Sequence, residues 1–352
     1  MKKNITVILF AFVFCFMPSI QENSITAISP QTNDTVITDK AEIDKIKKGS
    51  KEIGTRNSRV HDKEEQKIIQ NNPHGFTTAT GEIYTNDEVE KLKNSSSSVQ
   101  AKDFDFKKEN NKKEISQFIQ PKMVIGADSR KQITKPTVFP YKRVVFLEFI
   151  GTDGKGYRCS GAVIDDNTVL TAAHCLYDTD ANKYHSSMKV YPGKSGDKNY
   201  YGTINATNLI VTNAYANRSG SYSEYHAAVD YGVVKVPKGS GFTSAHGYFK
   251  LSSSASVGTQ INVTGYPGDK PYATMWYAHG NIKSFTKYGN DVVYKHNADT
   301  YSGSSGGPNF NSFGGSNMYI LGIVSGNDGI NTNYSTDITP TAIENIEIWK
   351  QY

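Results

Sequence analysis

Short runs of β-branched and aromatic residues, each followed by a turn-forming cluster, restrict the fold of this chain most narrowly. Seven such runs occupy 144–150, 161–171, 188–191, 229–236, 260–264, 291–294 and 318–324. Gly, Asn, Asp and Ser separate them at short intervals, a spacing typical of an antiparallel barrel or sandwich. The last segment differs, since Thr339 and Pro340 suit the cap and first position of a helix. Ile343, Ile346 and Trp349 then recur at three-residue spacing. The sequence therefore predicts an all-β domain that closes with one short helix.

The N-terminus carries the pattern of an export signal. Lys2 and Lys3 precede a mostly apolar run over 5–16, and polar residues resume at Gln21. Basic, then apolar, then polar residues in this order are typical of a secretory signal peptide. We predict such a signal over 1–27. A retained membrane anchor is the alternative, although a spanning helix needs about 20 apolar residues and this run is shorter.

Composition changes sharply near residue 122. About a third of the residues in 28–122 are charged and five are aromatic, whereas 123–352 contains 31 aromatic residues. Because so polar a stretch buries little apolar surface, we predict that 28–122 is largely disordered. Either a flexible spacer or a removable pro-segment fits this stretch. The export signal before it and the compact domain after it favour the pro-segment.

Overall charge and residue spacing exclude several function classes. The 352 residues carry a formal net charge of +5 with both signs interspersed, which does not indicate nucleic-acid binding. No apolar run of 18 residues follows the N-terminus, so a multi-pass membrane protein is excluded. His185, His226 and His246 lack ligand spacing and are expected at the surface, so we predict no metal and no cofactor. An oxygen-rich turn over 178–182 fits a weak Ca²⁺ site or, preferably, a solvated turn.

The first motif that carries chemistry is TAAHC at 171–175. A base for nucleophilic catalysis must be placed rigidly, and His is the side chain whose unperturbed pKa lies near neutrality. Strand-forming residues lead directly into His174. Cys159 and Cys175 remain after signal removal, so one disulfide between them is expected in an oxidising exterior. A buried structural His is the alternative for His174 alone, and the flanking residues favour the catalytic interpretation.

The second motif is DTYSGSSGGP at 299–308. A nucleophilic Ser needs a tight, open loop with backbone N–H groups converging beside it to hold an oxyanion. Gly303 permits the required backbone conformation, and Ser305 occupies the nucleophile position. The N–H groups of Gly303 and Ser305 are the expected oxyanion donors. A flexible Gly/Ser linker is the alternative, but a linker would not end in Gly-Gly-Pro and a new strand.

The third motif is AVDYGVV at 228–234, in which Asp230 interrupts an apolar run. A carboxylate at such a position is costly without a partner. An acid that orients a catalytic His must be shielded from water, which suits Asp230. An Asp at a turn or on an edge strand is the alternative.

His174, Asp230 and Ser305, in this chain order and with a Cys beside the His, resemble the chymotrypsin-like serine proteases. Further segments narrow the resemblance to the glutamyl endopeptidases that Gram-positive bacteria secrete; they are 123–130, 139–141, 265–270, 275–276 and 299–301. The resemblance implies two antiparallel six-stranded β-barrels, over 123–240 and 241–352, with the catalytic residues in the cleft between them. It also implies a secreted, extracellular monomer that acts on protein or peptide substrates, with no membrane contact after signal removal.

The same resemblance implies the role of each residue. Ser305 would attack the scissile carbonyl, His174 would take and return the proton, and Asp230 would hold the imidazole tautomer. Ser304 stands where trypsin-type zymogens have an Asp that captures the new N-terminus. Because Ser304 cannot form that ion pair, we expect a different activation, in which another protease cuts near Lys122–Met123.

The specificity pocket departs from the family pattern. The resemblance implies that Thr300, Val324 and Ser325 line this pocket. Thr300 matches the family pattern, but Val324 stands where the glutamate-selective members have a His. The change removes a hydrogen-bond donor and a positive charge, so a buried substrate carboxylate would lack its partner. The mature α-amino group, His279 or His296 are the candidate substitutes.

Three hypotheses follow. The leading one is a secreted serine endopeptidase with a preference for acidic residues before the cut. The second is an active serine protease with non-glutamyl specificity. The third, motivated by Val324, is a catalytically silent, protease-like binding or adhesion protein.

Overall fold

The computed structural model describes residues 61–95, 124–220, 222–242 and 247–352. The predicted signal peptide, the expected cut at Lys122–Met123 and His246 all lie outside these ranges. Within the ranges no helix combines the length and the apolar character needed to cross a bilayer.

Residues 61–95 are folded, so the prediction of a largely disordered 28–122 is wrong for this part of it. The segment contains helix α1 (Lys63–Asn71), strands β1 (Phe76–Thr78) and β2 (Ile83–Tyr84), and helix α2 (Asn86–Ser95). Asp62 and Glu65 form a capping box at the start of α1. Ile69, Phe76 and Val89 are buried in the same core as the rest of the molecule. Few apolar residues are enough to fold this segment, because they pack against the neighbouring domain and the segment needs no core of its own.

The first barrel is built from residues 144–235. Its strands are β4 (Val144–Ile150), β5 (Gly156–Asp165), β6 (Thr168–Thr171), β9 (Ser186–Pro192), β10 (Ile204–Asn205), β11 (Asn208–Thr212) and β12 (Gly232–Lys235). The order β10-β9-β4-β5-β6-β12-β11 is antiparallel throughout. Because β10 and β11 are halves of one continuous stretch, this path closes on itself as a six-stranded barrel. All seven residues of β4 are buried.

Smaller elements fill the connections of this barrel. A short hairpin, β7 (Tyr177–Asp178) and β8 (Lys183–Tyr184), follows β6, and helices α3 (Asn213–Ala216) and α4 (Glu224–Ala228) lie between β11 and β12. The Asp178 carboxylate accepts the N–H groups of Asp180 and Ala181, at 2.9 Å each. The solvated turn expected over 178–182 therefore has its carboxylate engaged by its own backbone.

The second barrel is also six-stranded, and it closes by the pairing of its two end strands. Its strands are β14 (Gln260–Gly265), β15 (Trp276–Tyr288), β16 (Asp291–His296), β17 (Pro308–Asn311), β18 (Tyr319–Asn327) and β19 (Asn333–Asp337). They pair in the order β18-β17-β14-β15-β16-β19, and β19 pairs again with β18. Two short strands pair with this barrel from outside its closed path, β3 (Lys131–Gln132) with β15 and β13 (Lys250–Leu251) with β18.

The chain ends with helix α5 (Pro340–Trp349), as predicted. The Thr339 side chain caps it by accepting the Ala342 N–H at 3.1 Å. At its other end the buried Lys235 donates to the carbonyl groups of Trp349 and Lys350, at 3.1 and 2.9 Å. The C-terminal helix is thus fixed to the last strand of the first barrel.

The all-β prediction is confirmed, with two differences in detail. The longest strand, β15, was missed because its outer half is polar and partly exposed. Residues 229–231 were predicted as strand, but β12 begins only at Gly232. The preceding turn follows α4 and delivers Asp230 to the interior.

Candidate active site

His174 and Asp230 meet where two paired strands end. His174 lies in a single 3₁₀ turn, Ala173–Cys175, directly after β6, and Asp230 comes just before β12. Thr171 of β6 pairs with Gly232 of β12, so the two side chains are neighbours. Asp230 Oδ2 accepts from His174 Nδ1 at 2.7 Å, and Oδ1 accepts the His174 backbone N–H at 2.9 Å. Both carboxylate oxygens therefore hold the same residue.

Asp230 is fully buried and stays ionised. Burial alone would raise its pKa, but attraction to His174 and hydrogen bonds from His174 and Ser325 outweigh burial and lower the pKa below its usual value. Ser325 Oγ donates to Asp230 Oδ2 at 2.6 Å. Only 12% of the His174 side chain and none of the Asp230 side chain is exposed, so the pair is largely shielded from water.

The Ser305 loop packs against the turn that carries His174. Gly303 and Gly306 have φ values of +92° and +76°, which favour glycine. A Cβ on Gly306 would lie 2.0 Å from Thr171 Oγ1, so the loop approaches β6 too closely for any other residue. The Ser305 carbonyl accepts the Ser160 N–H at 2.8 Å and lies 3.8 Å from Cys175 Sγ. Ser305 is thus adjacent to the residue that follows His174.

Ser160 anchors this loop, and sequence reasoning missed its role. Its buried hydroxyl donates to the Gly303 carbonyl at 2.8 Å and accepts the Tyr266 N–H at 2.9 Å. The hydroxyl therefore connects the first barrel to the loop that carries Ser305 and to the second barrel. Its position next to Cys159 was the one available signal.

Cys159 and Cys175 form the expected disulfide. The bond joins β5 to the turn of His174. Among the described residues, the one cluster of three His, Cys, Asp or Glu side chains with close ligand atoms is Cys159, His174 and Cys175. Because its two sulfurs are bonded to each other, this cluster is not a metal site.

Two of the predicted pocket residues, Thr300 and Val324, lie beside the Ser305 loop. Thr300 Oγ1 donates to Asn333 Oδ1 at 3.0 Å, and Val324 is 4% exposed. The Val324 backbone bonds to the Ser305 loop. Its carbonyl accepts the Gly306 N–H at 2.8 Å, and its own N–H donates to Gly307 O at 3.0 Å. Thr300 and Val324 therefore flank the Ser305 loop.

The Ser325 hydroxyl is held between Asp230 and Tyr222. Besides its bond to Asp230, Ser325 Oγ lies 2.5 Å from the Tyr222 hydroxyl. Tyr222 also covers Gly326, where a Cβ would meet its hydroxyl oxygen at 2.6 Å. The side chain of Ser325 thus supports the Asp230 carboxylate. Nothing in the sequence around Tyr222 indicated that it would contact Ser325.

Two histidines are more buried than the sequence predicted. His185 and His226, predicted at the surface, are 4% and 5% exposed. The first stacks on Phe149 at 4.8 Å, and the second accepts the Ser223 N–H at 2.8 Å in the cap of α4. Aromatic and polar neighbours in the sequence concealed these packing roles.

The two candidate substitute histidines lie in different environments. His279 is exposed on β15. His296 is buried beside Ser335, with 3.0 Å between Nε2 and Oγ. Burial lowers the pKa of His296 to about 3, so its ring is neutral at physiological pH.

Asp299, the residue before Thr300, holds the segment that begins the described protease domain. Its carboxylate accepts the N–H groups of Ile125 and Ser129 at 2.7 and 2.8 Å. The Ser129 hydroxyl adds a third bond at 2.5 Å. Residues 125–129 are therefore attached to the strand end that leads into the predicted pocket.

Comparisons with known proteins agree with this geometry. The family model described as trypsin matches residues 134–345. The extracellular metalloprotease of Bacillus subtilis is 32% identical over 66% of this chain and 71% of its own length. The glutamyl endopeptidase of Bacillus licheniformis is 30% identical over 65% of this chain and 69% of its own length. A solved structure of Glu endopeptidase in complex with MPD has a TM-score of 0.56 and 27% identity, and covers 65% of this chain and 100% of that one. The chain belongs to the trypsin family of chymotrypsin-like serine proteases.

Proposed function

We propose that this chain is a secreted serine endopeptidase with Ser305 as nucleophile, His174 as base and Asp230 as orienting acid. The observation that carries the proposal is the double attachment of His174 to one buried carboxylate, beside a glycine-shaped loop that presents Ser305. Membership of the trypsin family supports the same reaction. An oriented base next to a hydroxyl on a tight loop is the arrangement that acyl transfer needs.

The reaction follows from the proton positions. Asp230 keeps a proton on His174 Nδ1, which leaves Nε2 as the acceptor for the Ser305 hydroxyl proton. Ser305 Oγ adds to the substrate carbonyl, and the imidazolium then protonates the leaving amine as the C–N bond breaks. Water, deprotonated by the same imidazole, attacks the acyl-enzyme and releases the acid product with Ser305 restored. The N–H groups of Gly303 and Ser305 are the proposed donors to the oxyanion in both steps.

Maturation is part of the proposal. An activating protease would cut near Lys122–Met123 and free an N-terminus within a few residues of Ile125. Support comes from the bonds of Ile125 and Ser129 to Asp299, which keep this segment close to Thr300. The proposed division of the mature chain is 123–240 and 241–352.

The α-amino group freed by this cut is the proposed partner of an acidic substrate side chain. Val324 cannot bind a carboxylate, and His296 is neutral. We therefore propose a preference for Glu or Asp before the cut that depends on the mature N-terminus. The glutamyl endopeptidases among the relatives support an acidic preference, whereas Val324 favours the competing hypothesis of a different specificity.

Peptides that differ only at the residue before the cut test the preference. The proposal predicts that a Glu peptide is cut faster than its Gln counterpart, and that acetylating the α-amino group of the mature chain reduces this ratio by about tenfold or more, as expected for loss of a buried ion pair. Equal rates for Glu and Gln would assign the chain a non-acidic specificity. A Val324→His variant that gains the preference would show that position 324 governs it.

Casein hydrolysis tests the endopeptidase itself. The matured wild-type chain should cleave casein, and Ser305→Ala should not. The neighbouring Ser304→Ala is the matched control, because Ser304 has no role in the proposed reaction. A correctly processed wild-type chain without activity would favour a silent, protease-like binding protein, as would a Ser305→Ala chain that keeps its full biological effect.

A further inference from the structure

Residues 61–95, which we call the docked segment, add a strand to the first barrel. Phe76 of β1 pairs with Thr212 of β11, and Thr78 pairs with Ile210. The other edge of β11 is occupied by β12. The docked segment therefore covers a strand edge that would otherwise present unpaired backbone groups, and such edges bind extended chain readily.

An aromatic cluster joins the docked segment to the C-terminus of the chain. Phe76 is 2% exposed and stacks on Tyr84 of its own segment at 4.3 Å between ring centroids. Its edge also contacts Trp349 at 6.0 Å and Tyr352 at 5.6 Å. Ile69 and Val89 extend the same buried surface. Removal of the docked segment would expose these rings to water.

Buried polar groups of the protease domain are matched to the docked segment. Asn213 is fully buried, and its Nδ2 donates to the carbonyl groups of Asn72 and Tyr84 at 3.0 and 3.1 Å. Its backbone N–H donates to Gly75 O at 2.9 Å. The Tyr184 hydroxyl donates to Thr77 O at 2.6 Å. Loss of the segment would leave these donors without their acceptors, which opposes dissociation.

The fit at Gly75 is close. A Cβ there would lie 2.0 Å from Tyr84 O and 2.5 Å from Asn213 Nδ2. At the start of the docked segment, the His61 ring lies 3.0 Å from the Tyr177 hydroxyl, and the His61 backbone N–H donates to Asn182 O at 3.2 Å. These contacts reach the hairpin after His174 but none of the three triad residues.

We infer that the docked segment stays bound to the protease domain after the chain is cut between residues 95 and 124, as a non-covalent second chain of the enzyme. The barrel edge of β11, together with Asn213, Tyr184 and the C-terminal helix, is its binding surface. The occupant is this chain's own segment. The segment is thus a structural part of the first barrel, and the inference does not depend on the proposed catalytic function.

Controlled cleavage of an inactive chain tests the inference. A full-length Ser305→Ala chain receives a recognition sequence for a site-specific protease between residues 105 and 113, and is cut after purification. We expect the two fragments to co-elute as a 1:1 complex in size-exclusion chromatography and native mass spectrometry at micromolar concentration. Separate elution of the unmodified fragments would overturn the inference.

Matched variants test the surface itself. Gly75→Val and Asn213→Ala should each shift the cut chain towards separated fragments. Lys67→Ala on the exposed side of α1 and Asn217→Ala, exposed four residues after Asn213, should leave the complex intact. Co-elution of all four variants to the wild-type extent would refute this binding surface. If Gly75→Val yields no folded protein, Asn213→Ala alone tests the binding surface. Hydrogen exchange of the backbone amides over 208–213 is a second readout. Slow exchange in the cut wild type supports binding, whereas fast exchange contradicts it.

Discussion

Replacing Asp230 by Asn should inactivate the enzyme without disturbing its packing. The carboxylate accepts three hydrogen bonds, from the His174 backbone at Oδ1 and from His174 Nδ1 and Ser325 Oγ at Oδ2. An amide of the same shape offers one oxygen and one NH₂ group. If its oxygen faces the His174 backbone N–H, its NH₂ faces Nδ1 and forces the proton onto Nε2. In that tautomer His174 cannot take the Ser305 proton.

The opposite orientation of the amide is also costly. Its oxygen could then accept from Nδ1, but its NH₂ would oppose the His174 backbone N–H in a fully buried site. The correct tautomer is therefore disfavoured either way. We expect kcat/KM at neutral pH to fall by about 10³–10⁴, the range known for loss of the orienting carboxylate in a triad. This corresponds to about 4–5.5 kcal/mol of transition-state stabilisation.

The control is a second buried aspartate. Burial raises the pKa of Asp337 to about 8, so its side chain is largely uncharged at pH 7 and Asn replaces it with little electrostatic change. Steady-state cleavage of one fluorogenic peptide by wild type, Asp230→Asn and Asp337→Asn measures the difference. Asp337→Asn should stay within about threefold of wild type. A loss of less than tenfold in a folded Asp230→Asn enzyme would refute the argument that Asp230 controls the tautomer.

Three other predictions concern pH and stability. Because the pKa of Asp230 is lowered, its carboxylate stays ionised as the solution is acidified, so protonation of one group, the His174 base, should remove activity. The acid limb of log(kcat/KM) against pH should therefore have a slope of one, and a slope of two would contradict this assignment. The pKa of Asp337 is raised from 3.8 to about 8 in the folded state, so between these pH values the folded chain keeps a proton on Asp337 that the unfolded chain releases. The free energy of unfolding should therefore fall as pH rises from about 4 to about 8. Urea titrations should show a flatter pH dependence for Asp337→Asn. Lys235→Met leaves the carbonyl groups of Trp349 and Lys350 without their donor, and should reduce the free energy of unfolding by about 2–4 kcal/mol; a change below about 0.5 kcal/mol would show that Lys235 does not hold the C-terminal helix.

The sequence predicted the barrel class because short apolar runs and turn clusters are local signals. Runs such as 144–150 and 260–264 indicate strands wherever they lie in the fold. The terminal helix was also predictable, since Thr339 and Pro340 are positional signals. The long β15 was not, because a strand half exposed to water carries few apolar residues.

Residue roles at the site could be predicted only where they lie in a motif. TAAHC and the 299–308 loop indicated His174 and Ser305 and the neighbouring disulfide. Ser160 and Tyr222 act through contacts between residues 100 or more positions apart, and no local pattern reports such contacts. The folded state of 61–95 was missed for the same reason, because Phe76 and Ile69 are buried by partners from distant parts of the chain.

Reaction of the matured chain with a serine-directed fluorophosphonate, followed by peptide mass spectrometry, shows whether Ser305 is the activated nucleophile. We expect one adduct, on Ser305, formed at a rate that falls in Asp230→Asn and is unchanged in Asp337→Asn. An unlabelled Ser305 in correctly processed, folded protein would contradict it.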